Sequence, residues 1–218
     1  MRVLVVEDDI EVRRVIVAAL RTAGFAVDEA GDWSGADVSL SVSEYDCLVL
    51  DRMLPEGDSA VQLARRRRAG LDVPALMLTA LAEESDLLAG FQAGVDDYVA
   101  KPFSTPELVL RVRALCRRRR QMLPPVVTLG DLTVDVARRE VRRGGVLLSL
   151  TPKEFAVLEI LLYRRPAVVS RADLIEHCWD EQADPASNVV DVVVAQLRRK
   201  LADPPLIVTV RGAGYGIG

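Results

Sequence analysis

The sequence predicts a doubly wound α/β domain with a five-stranded parallel sheet, followed by a smaller winged helix-turn-helix domain. Three observations predict it. Short apolar runs alternate with segments of helical spacing as far as residue 119. Carboxylate, hydroxyl and lysine side chains recur just at or beyond the ends of those runs. The charge balance reverses midway: residues 1–116 carry 12 Lys/Arg and 20 Asp/Glu, whereas residues 117–218 carry 16 and 12. An acidic half beside a basic half points to two domains with different partners.

The elements follow in order. Val3–Val6 reads as a buried strand, and Asp9 as the cap of a helix with Val12, Ile16, Ala19 and Leu20 on one face, ended by Gly24. Phe25–Glu29 is a second strand, Ser34–Val42 a second helix and Asp46–Asp51 a third strand. After the turn Leu54-Pro55-Glu56-Gly57, Asp58 caps a helix reaching Arg68. Ala75–Leu78 and Asp97–Ala100 are the fourth and fifth strands, with helices over Glu83–Ala93 and Pro106–Arg119. Strands alternating with helices imply a parallel sheet covered on both faces, and ligands of such sheets gather at the carboxyl ends of the strands. Asp8 and Asp9, Asp51, Thr79 and Lys101 all fall there.

The four arginines Arg117–Arg120 run into Gln-Met-Leu-Pro-Pro, read as a linker over residues 121–125 between domains at 1–120 and 126–218. Val126–Val136 and Glu140–Leu148 alternate loosely, as short antiparallel strands do. Thr151-Pro152-Lys153-Glu154 starts a helix that continues through Phe155, Leu158, Leu161 and Leu162. Ser170–Trp179 is a second helix. A third opens at Ser187 or Asn188 and ends near Leu201. Ile207–Val210 and Tyr215–Ile217 flank Arg-Gly-Ala-Gly as a hairpin.

Composition narrows the function. Half of the 218 residues are apolar, too many for a disordered chain. No run approaches the roughly 20 apolar residues of a membrane helix, and the N-terminus lacks the features of a signal peptide, so the expectation is a soluble cytoplasmic protein without membrane insertion. Cys47, Cys116 and Cys178 form no disulfide or zinc pattern, and His177 beside Cys178 lacks further ligands.

Glu7, Asp8 and Asp51 are expected to converge at neighbouring strand ends. Three carboxylates a few Å apart repel, and one protonates unless a cation joins them. All-oxygen ligands of this kind suit Mg²⁺. Lys101 adds positive charge and Thr79 a hydroxyl. A carboxylate in such a setting can attack a phosphoryl group to give an acyl phosphate, with metal and lysine neutralising the equatorial oxygens. A Mg²⁺-dependent phosphohydrolase usually needs a second Asp two residues after the nucleophile, where Met53 stands. A dinucleotide-binding domain needs Gly-x-Gly-x-x-Gly where Glu7-Asp8-Asp9 stands. The spacing does not by itself establish a cis bond at Lys101-Pro102.

The segments VLVVEDD, VLDRMLPEGD, MLTA and DDYVAKPFS closely resemble the flavodoxin-like receiver domains of two-component response regulators. LTPKEFAVLEIL, SRADLIEHCW, SNVVDVVVAQLRRKL and TVRGAGYG resemble the winged-helix output domain of the OmpR/PhoB type. The resemblance covers essentially the whole chain. It implies a regulator, not an enzyme in the ordinary sense, that supports its own Mg²⁺-dependent phosphorylation. Asp51 would be charged by a partner sensor histidine kinase. Glu7, Asp8, Asp51 and the Met53 carbonyl would bind Mg²⁺, and Thr79 and Lys101 would contact the phosphoryl group. Tyr98 would change rotamer when Thr79 moves, although it reads equally well as a half-buried strand tyrosine.

The resemblance further implies a symmetric homodimer on phosphorylation, through cross-subunit pairs such as Asp97 with Arg111 and Asp96 with Arg118. Glu107 fits that pattern, but its usual basic partner position is Leu87, which with Phe91 would enlarge an apolar contact. In the second half Val190, Val194, Leu197 and Leu201 should pack on the core. Asn188, Val193, Gln196, Arg198, Arg199, Lys200, Thr209 and Arg211 are the candidate contacts to double-stranded DNA. Val193, Ala195 and Gln196 stand where basic or imidazole side chains are frequent, and Gly216 where Arg is often found. These departures predict weak binding by the monomer and dependence on dimerisation. A regulator that binds DNA without phosphorylation stays open as the alternative.

Overall fold

The computed structural model describes residues 1–80, 94–119, 124, 126–179 and 188–218. The chain divides into two compact units, Met1–Gln121 and Met122–Gly218.

In the first unit β1 (Arg2–Val6), β2 (Ala26–Ala30), β3 (Cys47–Asp51), β6 (Ala75–Thr79) and β7 (Asp97–Ala100) form a parallel sheet in the order β2-β1-β3-β6-β7. Successive strand side chains point to opposite faces, and here both faces are covered. Val3, Val5, Val49, Leu76 and Leu78 meet α1 (Ile10–Thr22) and the helix Thr105–Arg119, here α4, through Ile16, Leu20, Leu108 and Val112. Leu4, Val6, Leu48, Leu50 and Met77 meet α2 (Trp33–Val42) and α3 (Ser59–Arg68) through Trp33, Ala36 and Leu63. This two-sided burial is why the strands read as continuous apolar runs.

The first three helices are capped by aspartates: Asp9 accepts from the Glu11 and Val12 amides, Asp32 from Gly35 and Asp58 from Ala60. The turn expected at 54–57 is a small hairpin, with β4 (Met53–Leu54) paired to β5 (Gly57–Asp58) and Gly57 at φ 108°. Strand and helix bounds otherwise differ from the sequence reading by a residue or so. The helix expected at Glu83–Ala93 lies outside the described residues.

In the second unit each of the two loosely alternating stretches resolves into two strands: β8 (Val126–Leu129), β9 (Leu132–Asp135), β10 (Glu140–Arg143) and β11 (Val146–Leu148). They form an antiparallel sheet in the order β11-β10-β9-β8. Turns with positive φ at Gly130, Arg139, Gly144 and Gly145 punctuate it. The helix α5 (Pro152–Arg164) is buried over nine consecutive residues, 154–162, and forms the centre of this domain. It starts with the expected capping box of Thr151 and Glu154, and Ser170 with Asp173 builds another for α6 (Arg171–Cys178). Then come α7 (Val189–Leu201) and the wing hairpin β12 (Ile207–Val210) with β13 (Gly214–Ile217).

Two features lock the wing and α7 in place. Gly214 has φ 146°, and a Cβ there would meet the Val169 carbonyl oxygen at 2.0 Å; β13 docks on that carbonyl through Tyr215. Arg143, buried, donates to the carbonyls of Leu201, Ala202 (2.8 Å) and Pro204 (2.7 Å), and so satisfies the end of α7.

Candidate functional site

The carboxyl ends of β1, β3, β6 and β7 bring Glu7, Asp8, Asp51, Thr79 and Lys101 to one rim. One carboxylate oxygen from each of Glu7, Asp8 and Asp51 lies within 4.8 Å of the others. Glu7 and Asp51 are buried and Asp8 is exposed, so the cluster opens to solvent on one side. The Lys101 ammonium bridges the buried pair, 2.8 Å from Glu7 Oε2 and 3.0 Å from Asp51 Oδ1. Asp9 belongs elsewhere, since its carboxylate is turned into the α1 cap and the two backbone N–H donors hold its pKa down.

The electrostatics follow from crowding. Burial, together with the Asp51 charge, raises the Glu7 carboxyl above the usual range despite the bond from Lys101. Burial alone would lower Lys101, but its bonds to Glu7 and Asp51 outweigh that and raise it. The site therefore sets one ammonium among three carboxyl groups. A hard cation with oxygen ligands fits that donor set.

The backbone around Asp51 is fixed. Ser59 Oγ donates to the Asp51 carbonyl at 2.6 Å, the Arg52 amide to Leu78 O at 2.9 Å and the Lys101 amide to Thr79 O at 2.8 Å. The Lys101–Pro102 peptide is cis. Thr79 is buried, while the Met53 side chain is 59% exposed on β4. Tyr98 is half-buried against the α2/α3 core layer, and burial pushes its hydroxyl up to about 12, with Arg52 opposing and Asp58 adding to the shift.

On the neighbouring surface the expected cross-subunit pairs look different within one chain. Arg111 binds its own Asp97 (2.9 and 3.0 Å) and its own Glu107 (2.9 Å). Asp96 accepts from Arg67 and from the Ala75 amide, both at 2.9 Å. Leu87, Phe91 and the side chain of Arg118 lie outside the described residues. Leu110, unremarked in the sequence, is 62% exposed on α4.

The α7 candidates divide into two sets. Val190, Val194, Leu197 and Leu201 are buried as expected. Asn188, Ala195 and Arg199 are exposed, Gln196 is partly exposed, and Arg211 is exposed at the wing tip. Three others are otherwise engaged. Val193 is partly buried against the domain core. Arg198 donates to Ile207 O (3.0 Å) and Thr209 Oγ1 (2.7 Å), tying α7 to the wing and occupying Thr209 as well. Lys200 is bound at 2.6 Å to the buried Glu154 carboxylate.

Val192, 44% exposed, takes the outward place that the sequence reading gave to Val193. The signal was present. With 190, 194, 197 and 201 inward, a 100° step places 188, 192, 195 and 199 on the opposite face. A polar cluster also went unread: Tyr215 OH donates to Asp191, while Arg171 reaches both Asp191 (2.9 Å) and the Tyr215 hydroxyl (3.2 Å). It joins α6, α7 and the wing.

Among the described residues no helix is long and apolar enough to cross a membrane. Residues 3–113 match the family described as response regulator receiver domain, and residues 145–217 match that described as transcriptional regulatory protein, C terminal. The chain is 47% identical over 219 residues to the transcriptional regulatory protein CutR of Streptomyces coelicolor, covering all of both chains. It is 42% identical to TcrA of Mycobacterium tuberculosis (99% of this chain, 86% of that one) and 40% identical to PcoR of Escherichia coli (98% and 96%). Among solved structures, the receiver domain of the Francisella response regulator 1452 is 32% identical with a TM-score of 0.52, covering 54% of this chain and 98% of that one.

Proposed function

Since this chain belongs to the two-component response regulators of the OmpR/PhoB type, we propose that Asp51 is its phosphoacceptor and that the phosphoryl group promotes dimerisation and DNA binding. The observation that carries this reading is the approach of Glu7, Asp8 and Asp51 to within 4.8 Å, with Lys101 bridging two of them.

Glu7, Asp8, Asp51 and the Met53 carbonyl would hold Mg²⁺, which supplies charge neutralisation for the phosphoryl oxygens. Asp51, its main chain clamped by Ser59, attacks phosphorus through a carboxylate oxygen. The bond to the imidazole of a partner kinase breaks, leaving an acyl phosphate on Asp51. Lys101, already 3.0 Å from Asp51 Oδ1, follows the new charge onto a phosphoryl oxygen. The Thr79 hydroxyl donates to another, and Tyr98 on the neighbouring strand β7 is the aromatic that responds.

The added charge of about −1.5 to −2 biases the surface around β7 and α4. Dimerisation there would exchange the internal Asp97–Arg111 pair for the same pair across the interface. Exposed pairs contribute less than about 1 kcal/mol each, so the exchange is near neutral. Apolar contact from Leu87, Phe91 and Leu110 supplies the net gain. On DNA, α7 presents Asn188, Val192, Ala195, Gln196 and Arg199 to the major groove. Gln196 suits adenine, Val192 and Ala195 suit thymine methyls, and Arg199 and Arg211 take phosphates.

The test is mass spectrometry after treatment with a small phosphoryl donor and Mg²⁺, followed by gel shifts on genomic fragments. One labile phosphate on Asp51, absent in Asp51→Ala, is expected, together with tighter DNA binding by the phosphorylated form. Equal DNA affinity for Asp51→Ala and phosphorylated wild type would establish the alternative, a regulator that works without phosphorylation.

A further inference from the structure

The turn that carries two of the three clustered carboxylates is held from behind by a side chain outside the cluster. Arg13, on the first turns of α1, donates from Nη1 to the Glu7 carbonyl at 2.5 Å and reaches the Asp8 carbonyl at 3.5 Å. Its Nε lies 3.4 Å from Glu29 Oε2 at the end of β2, and its side chain is only 17% exposed. The guanidinium lies so close to the next turn that a Cβ at Gly31 would come within 3.1 Å of Nη1. The Glu7 amide meanwhile donates to Ala30 O at 3.2 Å, and Asp9 closes the far end of the turn by capping α1. Backbone and guanidinium therefore pin the Glu7–Asp8 peptide units between β2 and α1.

We propose that Arg13 is a positioning residue for the divalent-cation site: by gripping the Glu7 and Asp8 carbonyls it aims both carboxylates at Asp51. The inference rests on the Mg²⁺ reading given above. Two effects of Arg13 oppose each other. Its charge repels an incoming cation, so if charge dominated, removing it would tighten metal binding. Its fork restrains the ligands, so if positioning dominates, removing it weakens binding even though a repulsive charge is lost. Outer groups that orient metal ligands typically contribute about 10–100-fold in affinity, and a flexible lysine does not reproduce a guanidinium fork.

The experiment is calorimetric titration of Mg²⁺ into the full-length wild type, Arg13→Met, Arg13→Lys and Arg14→Met. The last loses the same charge from an exposed neighbour paired to Glu11. Thermal unfolding in chelator reports folding separately from metal binding. The expected result is an Mg²⁺ dissociation constant raised about tenfold in Arg13→Met and several-fold in the charge-preserving Arg13→Lys, with Arg14→Met within about twofold of wild type. Wild-type or tighter Mg²⁺ affinity in folded Arg13→Met overturns the proposal. So does wild-type affinity in Arg13→Lys should the methionine variant fail to fold. Failure of the wild type itself to bind Mg²⁺ removes the cation site and this inference with it.

Discussion

The acidic pocket and the α7 surface are built in opposite ways. The pocket draws on four strand ends spread from residue 7 to residue 101, and its centre is held from several elements: Lys101 on the Glu7 and Asp51 carboxylates, Ser59 on the Asp51 carbonyl. The α7 surface comes from one helix and one hairpin, and its outward residues Asn188, Val192, Ala195 and Arg199 are exposed. Charge in the pocket is concentrated. Charge around α7 is mostly spent inside the domain, as Arg198 and Lys200 show. A site that performs chemistry needs preorganised charge, whereas a surface that reads many sequences needs replaceable outward side chains on a fixed frame.

That contrast can be broken most directly at the two lysines. Lys101→Met removes the ammonium that, in the proposed reaction, faces the developing phosphoryl charge. The rate of Asp51 phosphorylation from a small donor should fall about 100–1000-fold, as for other preorganised electrostatic donors; a fall of less than tenfold contradicts the role given to Lys101. Lys200→Met should instead cost about 2 kcal/mol of output-domain stability in urea melts, because the buried Glu154 carboxylate loses its charged partner. The salt slope of DNA binding should stay unchanged in that variant and drop by about 0.9 in Arg199→Ala. If Lys200→Met flattens the salt slope, Lys200 contacts phosphate after all.

Adjacent valines sharpen the contrast within α7. Val193→Ala should cost about 1 kcal/mol of stability and leave the ranking of DNA sequences intact. Val192→Ala should leave stability within about 0.5 kcal/mol and alter base preference, read by binding to a randomised site library. Exchanged outcomes would mean that α7 is rotated about its axis, with Val193 outward and Val192 inward.

The smallest effect concerns pH. Burial would raise Glu154, but Lys200 and the Thr151 amide outweigh it, so its folded pKa lies below the unfolded 4.5. A carboxylate depressed in this way contributes stability that is complete well above pH 4.5 and lost as pH falls through the folded value. Glu154→Gln should therefore flatten the acid limb of the output-domain stability curve, measured by urea melts between pH 3 and 7. An unchanged limb would show that the pair carries no linkage.

The sequence made the pocket legible because its residue types are rare in combination and fall at strand ends, where apolar runs stop. It also made the capping boxes legible, since Thr151 with Glu154 is a local pattern. Partner choice was not legible. Arg198 and Lys200 look like a solvated basic helix end until Thr209 and Glu154, distant in sequence, are folded against them. The four strands before α5 read as two because each is only three or four residues long, so little alternation accumulates on either side of the turns at Gly130 and at Gly144-Gly145. Outward Val192 and inward Val193 are distinguishable in the sequence, because four inward positions already fix the helix phase.

Gly214 has a consequence for how such a protein diversifies. Because β13 meets the Val169 carbonyl through main chain alone, with no room for even a methyl group, the stem of the hairpin is anchored independently of which residues decorate its tip. Substitutions across Arg211–Ala213 can thus accumulate without moving that anchorage. Any residue other than glycine at 214 would push β13 off the Val169 carbonyl.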